Sequence, residues 1–334
     1  MREYSEPVVS VIIPAYRASA DIADALTSVF EQSFSHFEVV VVDDGSPDGE
    51  ALRAAVAPFR SRIRYIEQAN RGAGAARNTA IRASRGRYLA FLDADDRWAR
   101  DFLRRQIWYL DANPSCALVY CDAVLTGDTP LAGSRFMETA PSSGEVTLLA
   151  LIEQRCNVIL STVVARRDAI VAAGLFDESI RRGQDFELWL RLARRSARIA
   201  YQRHVLAERF VRADGLSGTA AAELERAIDV LDRFGRAQDL PAAARTALRI
   251  RIMQLVDRLE VERGKQRLLE GNFAAARFHL EAARGRTLKV RLASIALQIA
   301  PRLTRALYLR MRPSATDASV RPAADCRLGL PTAD

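Results

Sequence analysis

Cysteine is scarce in this chain of 334 residues, and the scarcity excludes two classes of architecture. The four cysteines, Cys116, Cys121, Cys156 and Cys326, form no CxxC pair and no metal-ligand spacing with the three histidines. A structural zinc site or a disulfide scaffold is therefore not expected, and the cysteines read as reduced thiols. Long hydrophobic runs are also missing. No stretch of 18 uncharged apolar residues occurs, so no membrane-spanning helix is expected. A strand-like segment already begins by Val8, so no secretory signal is expected and the protein reads as cytoplasmic. Lysine is nearly absent, and the net charge of +8 is carried almost entirely by arginine. That balance suits nucleic acid, an anionic membrane surface or a phosphorylated substrate. Nucleic acid is the weakest of the three, because no recognition motif is present and the aromatics are not interleaved with the basic residues.

What is present is a substantial apolar fraction, 49% of the chain, arranged in alternating signals. Apolar runs at Val8–Ile13, Phe37–Val42, Ile63–Ile66, Tyr88–Leu92, Ala117–Ala123 and Ser161–Ala165 read as strands. Helical periodicity covers Ala20–Gln32, Leu52–Phe59, Ala73–Ser84, Trp98–Asn113, Leu148–Glu153, Arg167–Ala173 and Gln184–Arg195. Asp21 is placed to cap the first helix, and Thr126–Gly144 reads as a loop. Strands alternating with helices predict a mostly parallel sheet with helices on both faces. The pattern becomes wholly helical after Gly218. Three regions are expected: residues 1–217, a helical region 218–312 and an unstructured tail 313–334. Leu268–Ala283 reads as half of one tetratricopeptide-like hairpin.

Four segments carry candidate chemistry. The strand ending Pro14-Ala15-Tyr16 offers an aromatic ring to a nucleotide base or ribose, or simply closes a core strand. Asp43 and Asp44 lie before Gly45 at the next strand end, where a carboxylate accepts from a base N–H or makes an Asx turn. Asn70-Arg71-Gly72-Ala73-Gly74-Ala75-Ala76-Arg77-Asn78 is a glycine-rich entry to a helix, whose N-terminus favours anions and places Arg77 near a diphosphate. It matches neither a dinucleotide fingerprint nor a Walker A loop. The most informative run is Asp93-Ala94-Asp95-Asp96 at the end of an apolar strand. Asp93 and Asp95 share one face of an extended segment, a hard-oxygen pair suited to Mg²⁺ or Mn²⁺, and Asp96 is the alternative helix cap. Asp185 follows at the start of an amphipathic helix, a general base or a helix-dipole carboxylate.

In this order and spacing the segments VSVIIPAY, VVVDDGS, NRGAGAARN, GRYLAFLDADD and GQDFELWLRL resemble the inverting family 2 glycosyltransferases with the GT-A fold, over residues 8–217. The resemblance implies a Rossmann-like mostly parallel sheet binding a nucleotide-diphospho-sugar, a UDP-sugar foremost, at its C-terminal edge. It implies that Pro14, Ala15, Tyr16, Asp43 and Asp44 hold the nucleoside, with Asp44 favoured as the base contact. Asp93, Ala94 and Asp95 match the DxD element, with Asp95 the foremost metal ligand, and Asp185 matches the catalytic base. It implies transfer to a glycan or lipid-linked acceptor in bacterial surface polysaccharide or glycolipid synthesis. Two departures stand out: Arg17 replaces a frequent Asn, and the segment 209–217 lacks a frequent His. Arg212 is the suggested substitute contact to the diphosphate. His36 and His279 show no sequence-evident partners.

Residues 284–312 contain Arg284, Arg286, Lys289, Arg291, Arg302, Arg305, Arg310 and Arg312 with no Asp or Glu, while Leu288, Leu292, Ile295 and Ile299 share one helical face. Such a helix lies on an anionic membrane surface or packs on the protein with a solvated basic face. The first use predicts a peripheral protein at the inner face of the plasma membrane. Two other functions compete with the leading one: a non-catalytic scaffold with a sugar-nucleotide fold, and a nucleotidyltransferase. The latter needs a basic glycine-rich loop after the first strand, which is absent.

Overall fold

A computed structural model describes residues 6–212, 220–236, 240–283, 285 and 287–311. Eight strands and thirteen helices follow in chain order: β1 (Val9–Ala15), α1 (Ile22–Phe30), β2 (Phe37–Asp43), α2 (Gly49–Val56), β3 (Arg64–Glu67), α3 (Ala73–Ala83), β4 (Tyr88–Phe91), β5 (Arg97–Trp98), α4 (Phe102–Ala112), β6 (Cys116–Gly127), α5 (Phe136–Thr139), α6 (Leu148–Ile152), β7 (Val164–Arg166), α7 (Arg167–Ala172), α8 (Gln184–Arg194), β8 (Arg198–Val211), α9 (Ala220–Gly235), α10 (Ala242–Leu269), α11 (Phe273–Ala282), α12 (Leu288–Ile299) and α13 (Pro301–Met311) among the described residues.

The strands form one sheet in the order β3-β2-β1-β4-β7-β6-β8-β5. The first four are mutually parallel, as is β6 with β8, whereas β7 runs antiparallel to β4 and β6, and β5 to β8. The sheet is therefore mixed, with a parallel half that carries the expected strand-helix alternation. Strand side chains alternate between two apolar layers. Ile12, Val40 and Val42 face Ala76, Ala80 and Ile81 of α3 and the helices α6 to α9. Val11, Ile13, Val39 and Val41 face Leu26 of α1, Leu52 of α2 and Phe102 of α4. Burial on both faces is why these strands read as unbroken apolar runs.

Local departures from the sequence reading have physical causes. The helix expected from Trp98 starts at Phe102, because Arg97 and Trp98 pair with Glu208 and Ala207 as an edge strand. Trp98 Nε1 donates to the Ser161 carbonyl at 2.6 Å. The strand expected from Ser161 begins at Val164, after a 3₁₀ turn at Leu160–Thr162. Asp21 does not cap α1 through its side chain. Nor does Asp96 cap the following helix: it is buried, and α4 is preceded by Asp101.

The chain divides into two compact units, Met1–Leu259 and Glu260–Asp334. In the first, Leu224, Val230, Leu231 and Phe234 of α9 and Leu248 and Leu255 of α10 bury into the same apolar layer as Leu188 and Trp189 of α8. The second has its own small core of Leu268, Ala276, Leu280 and Leu297. There α10 ends, Gly271 turns the chain and Asn272 caps α11 by accepting from the Ala275 N–H. His279, partnerless by sequence, has its Nδ1 2.8 Å from Glu260 Oε2. No helix among the described residues is long and apolar enough to cross a membrane.

Candidate active site

The chain leaves β1 toward β2 and β3 on one side, then returns to β4 on the other side of β1. Strand order reverses there, and crevices at the carboxyl ends of strands around such a reversal are where open α/β sheets bind ligands. The candidate residues gather at this edge. Ala15 is in register with Asp43, and the Leu92 N–H donates to the Ile12 carbonyl at 3.1 Å, so Asp93 emerges beside the end of β1.

The acidic run is held from several directions. The Asp93 N–H donates to Ser161 Oγ at 3.1 Å, and its carboxylate receives Arg77 Nη2 at 2.5 Å. Arg212 Nε lies 3.8 Å from Asp95 Oδ2, and its Nη2 donates to Asp21. Asp96 turns inward and accepts from the Phe210 N–H at 2.8 Å, tying the run to β8. Four carboxylates thus meet two guanidiniums. Burial, then the charge of Asp93, pushes the Asp95 carboxyl up to about 6. Burial, then Asp93 and Asp95, raises Asp96 well above the usual carboxylate range. Hard oxygen donors with surplus negative charge fit a divalent cation. No group of three or more acidic, His or Cys side chains is arranged to hold one among the described residues.

Arg77 is buried on α3, with its guanidinium carbon 5.6 Å from the centroid of the Phe176 ring. Its Nε and Nη1 have no hydrogen-bond partner among the described residues. Its ion-pair partner is the Asp93 carboxylate.

At the ends of β1 and β2, Tyr16 is 47% exposed, an open ring beside the crevice. Arg17 adopts φ +54°, lies over that ring at 5.5 Å and donates its backbone N–H to Ser46 Oγ. Asp43 accepts from the Ser46 N–H at 2.9 Å and the Tyr65 hydroxyl at 3.1 Å. Asp44 is buried and accepts from Gln68 Nε2 at 2.7 Å, the Arg71 N–H at 3.0 Å and the Gly72 N–H at 2.7 Å. A carboxylate offers about four acceptor positions, and these three donors fill most of them. In this arrangement Asp44 chiefly anchors the glycine-rich loop.

That loop connects the acidic run to Asp185. Gly72 precedes α3 at φ +93° and Gly183 precedes α8 at φ +80°, both in the left-handed region that favours glycine. A Cβ on Gly74 would meet the side chain of Gln184 at 3.4 Å, so the start of α3 packs directly on the start of α8. Asn78 fastens the two: its Nδ2 donates to the Phe176 carbonyl at 2.8 Å and its Oδ1 accepts from the Phe176 N–H at 3.0 Å. Glu178 receives Asn78, Arg71 and Arg82, and the Asn78 hydrogen bond is the largest cause holding its carboxyl below the usual range. Asp185 occupies the first turn of α8, half-buried, with no side-chain partner recorded among the described residues. Such a carboxylate is available to accept a proton from a bound hydroxyl. Ser161, Asn78 and Glu178 are parts of this frame that the sequence reading did not assign, and Asp21, expected as a helix cap, pairs with Arg212 instead.

Residues 10–170 match the profile of glycosyl transferase family 2. A putative teichuronic acid biosynthesis glycosyltransferase of Bacillus subtilis, TuaG, is 34% identical over 197 residues, 57% of this chain and 73% of the relative. The Escherichia coli UDP-Glc:alpha-D-GlcNAc-diphosphoundecaprenol beta-1,3-glucosyltransferase WfgD is 30% identical over 230 residues, 68% of this chain and 86% of the relative. Some longer curated glycosyltransferases are matched over only about 30% of their length. Among solved structures, a mannosyltransferase from Pyrobaculum calidifontis in complex with GDP-Man and Mn²⁺ superposes with a TM-score of 0.60 at 21% identity, covering 95% of this chain and 86% of that one.

Proposed function

This chain belongs to glycosyltransferase family 2, and on that premise we propose that it transfers a hexosyl group from a UDP-sugar to an acceptor hydroxyl with inversion at the anomeric carbon. The observation that carries the reading is the meeting of Asp93, Asp95, Arg77 and Arg212 where the strand order reverses. Tyr16 offers its ring to the nucleoside, and Asp43 and Asp44 shape the wall beside it. Arg77 and Arg212, each already beside a carboxylate of the acidic run, are the cations this reading assigns to a diphosphate. Asp93 and Asp95 would hold Mg²⁺ or Mn²⁺, which when bound stabilises negative charge on the departing diphosphate. Asp185 takes the proton of the acceptor hydroxyl as it attacks. One displacement needs one base and no enzyme nucleophile, and this frame supplies one unpartnered carboxylate at the start of α8.

The names of the similar proteins support an acceptor in bacterial surface polysaccharide, carried on lipid in the case of WfgD. The test is thermal stabilisation of the full chain by UDP-, GDP-, dTDP- and CMP-sugars with and without Mn²⁺. A metal-dependent shift for the UDP-sugars that disappears in Asp95→Ala is expected. No shift with any donor, from folded protein, would instead favour a scaffold. Asp185→Asn is expected to keep donor binding and lose about 10²- to 10⁴-fold in transfer, the usual size of a general-base contribution.

A further inference from the structure

Helix α12 carries its largest apolar side chains on the outside. Leu288, Leu292, Ile295 and Ile299 are 71%, 56%, 52% and 77% exposed. At 3.6 residues per turn they form one stripe. The stripe lies opposite the face made by Val290, Ala293, Ser294 and Leu297, which packs into the small core of the second unit. Lys289 and Arg291 fall on either side of the exposed stripe, at its two edges. Helix α13 also exposes an apolar row. Tyr308 packs inward, while Leu303, Leu307 and Met311 recur at i, i+4 and i+8 and stand exposed with Arg310 at the edge of their row; Leu309 and Arg302 are exposed on another side of the helix. Helix α12 therefore has the second unit's core on one side and an apolar, cation-edged face on the other, and α13 adds an exposed apolar row with Arg310 at its edge.

We propose that this face of α12 and α13 docks on an anionic lipid leaflet, the helices lying in the interface with leucine and isoleucine side chains inserted. The charge pattern selects that occupant. Residues 287–311 contain five Lys or Arg and no Asp or Glu. A second copy of the same face would set these cations against one another, and a nucleic acid would meet the apolar stripe first. A lipid surface offers hydrocarbon beneath the stripe and phosphates at its edges. Neither helix is long and apolar enough to cross a bilayer, so they rest on it. The inference stands apart from the transfer chemistry, since it uses none of the site residues.

The test is sedimentation of the full chain with vesicles of phosphatidylcholine alone or mixed equally with phosphatidylglycerol, without donor or metal. Binding to the mixed vesicles is expected to exceed binding to phosphatidylcholine by about tenfold or more, and to weaken in high salt. The exposed triple change Leu292→Ser, Ile295→Ser and Ile299→Ser, and separately Lys289→Gln, Arg291→Gln, Arg302→Gln and Arg310→Gln together, are each expected to lower it about tenfold or more with circular dichroism unchanged. Absent binding, equal binding to both vesicles, or binding retained in either variant overturns the proposal. So does sedimentation equilibrium showing that the unaltered chain self-associates and the serine variant does not, which would make the face a homotypic interface. Asp95→Ala is expected to bind vesicles normally, so failure here and failure of the transfer reading are separate results.

Discussion

At the scale of single residues, the site combines backbone strain with crowded charge. Arg17 holds φ +54° where a side chain with Cβ is penalised. Asn tolerates that region better than Arg. Arg17→Asn is expected to stabilise the protein by about 0.5–1 kcal/mol, read from urea unfolding, since left-handed backbone costs a bulky residue about that much or more. A second prediction concerns Asp95. Its folded carboxyl titrates near 6, above the unfolded value near 4. The folded state binds the proton more tightly, so this group favours folding at low pH and the advantage is lost as pH rises from about 4 to about 6. In metal-free protein, Asp95→Asn is therefore expected to raise the melting temperature at pH 7.5, with a smaller gain at pH 5. An equal gain at both pH values would contradict the electrostatic account. Tyr16, Asp93, Asp95 and Asp185 were visible in the sequence because each sits at a strand or helix end. What sequence does not display is the partner. Asp96 looks like a helix cap locally, and only the fold reveals Phe210, on β8, as the group it holds.

At the scale of elements, α3 is the member that links the acidic run to the start of α8. Its first turn rests on α8, Arg77 reaches Asp93, and Asn78 clamps the segment leading to Asp185. Asn78 is buried and hydrogen-bonded at both ends of its amide. Asn78→Ala is expected to cost about 1–3 kcal/mol in chemical denaturation by leaving Phe176 backbone groups unpaired. On the proposed reading, in which Asp185 is the base, transfer should fall while the affinity for UDP changes little. The long elements were legible, since apolar runs and helical periodicity extend over several turns or strand residues. The two-residue strand β5 was not, because its identity comes from pairing with β8 about a hundred residues later rather than from any local pattern. Strand β7 was legible as an apolar run from Ser161, but its start at Val164 and its antiparallel pairing between β4 and β6 come from the fold.

At the scale of the whole molecule, the α/β portion and the wholly helical portion differ in pattern, and that change was visible near Gly218. The sequence did not show that α9 and the first part of α10 bury their apolar residues in the layer beneath α8, since an amphipathic helix does not name the surface it covers. Arginine dominates the charge throughout, yet its uses differ: Arg77 and Arg212 answer carboxylates at the crevice, whereas Lys289, Arg291 and Arg310 stand exposed beside apolar rows. The central claim is that Asp93 and Asp95 make the crevice a metal-dependent site for a uridine diphosphate group. It is tested most directly by titrating UDP into the full chain by calorimetry, with Mn²⁺ or with chelator. The account predicts saturable binding with Mn²⁺ that weakens about tenfold or more with chelator and in Asp95→Asn. Binding of equal strength in all three conditions, or none in any of them, would contradict it.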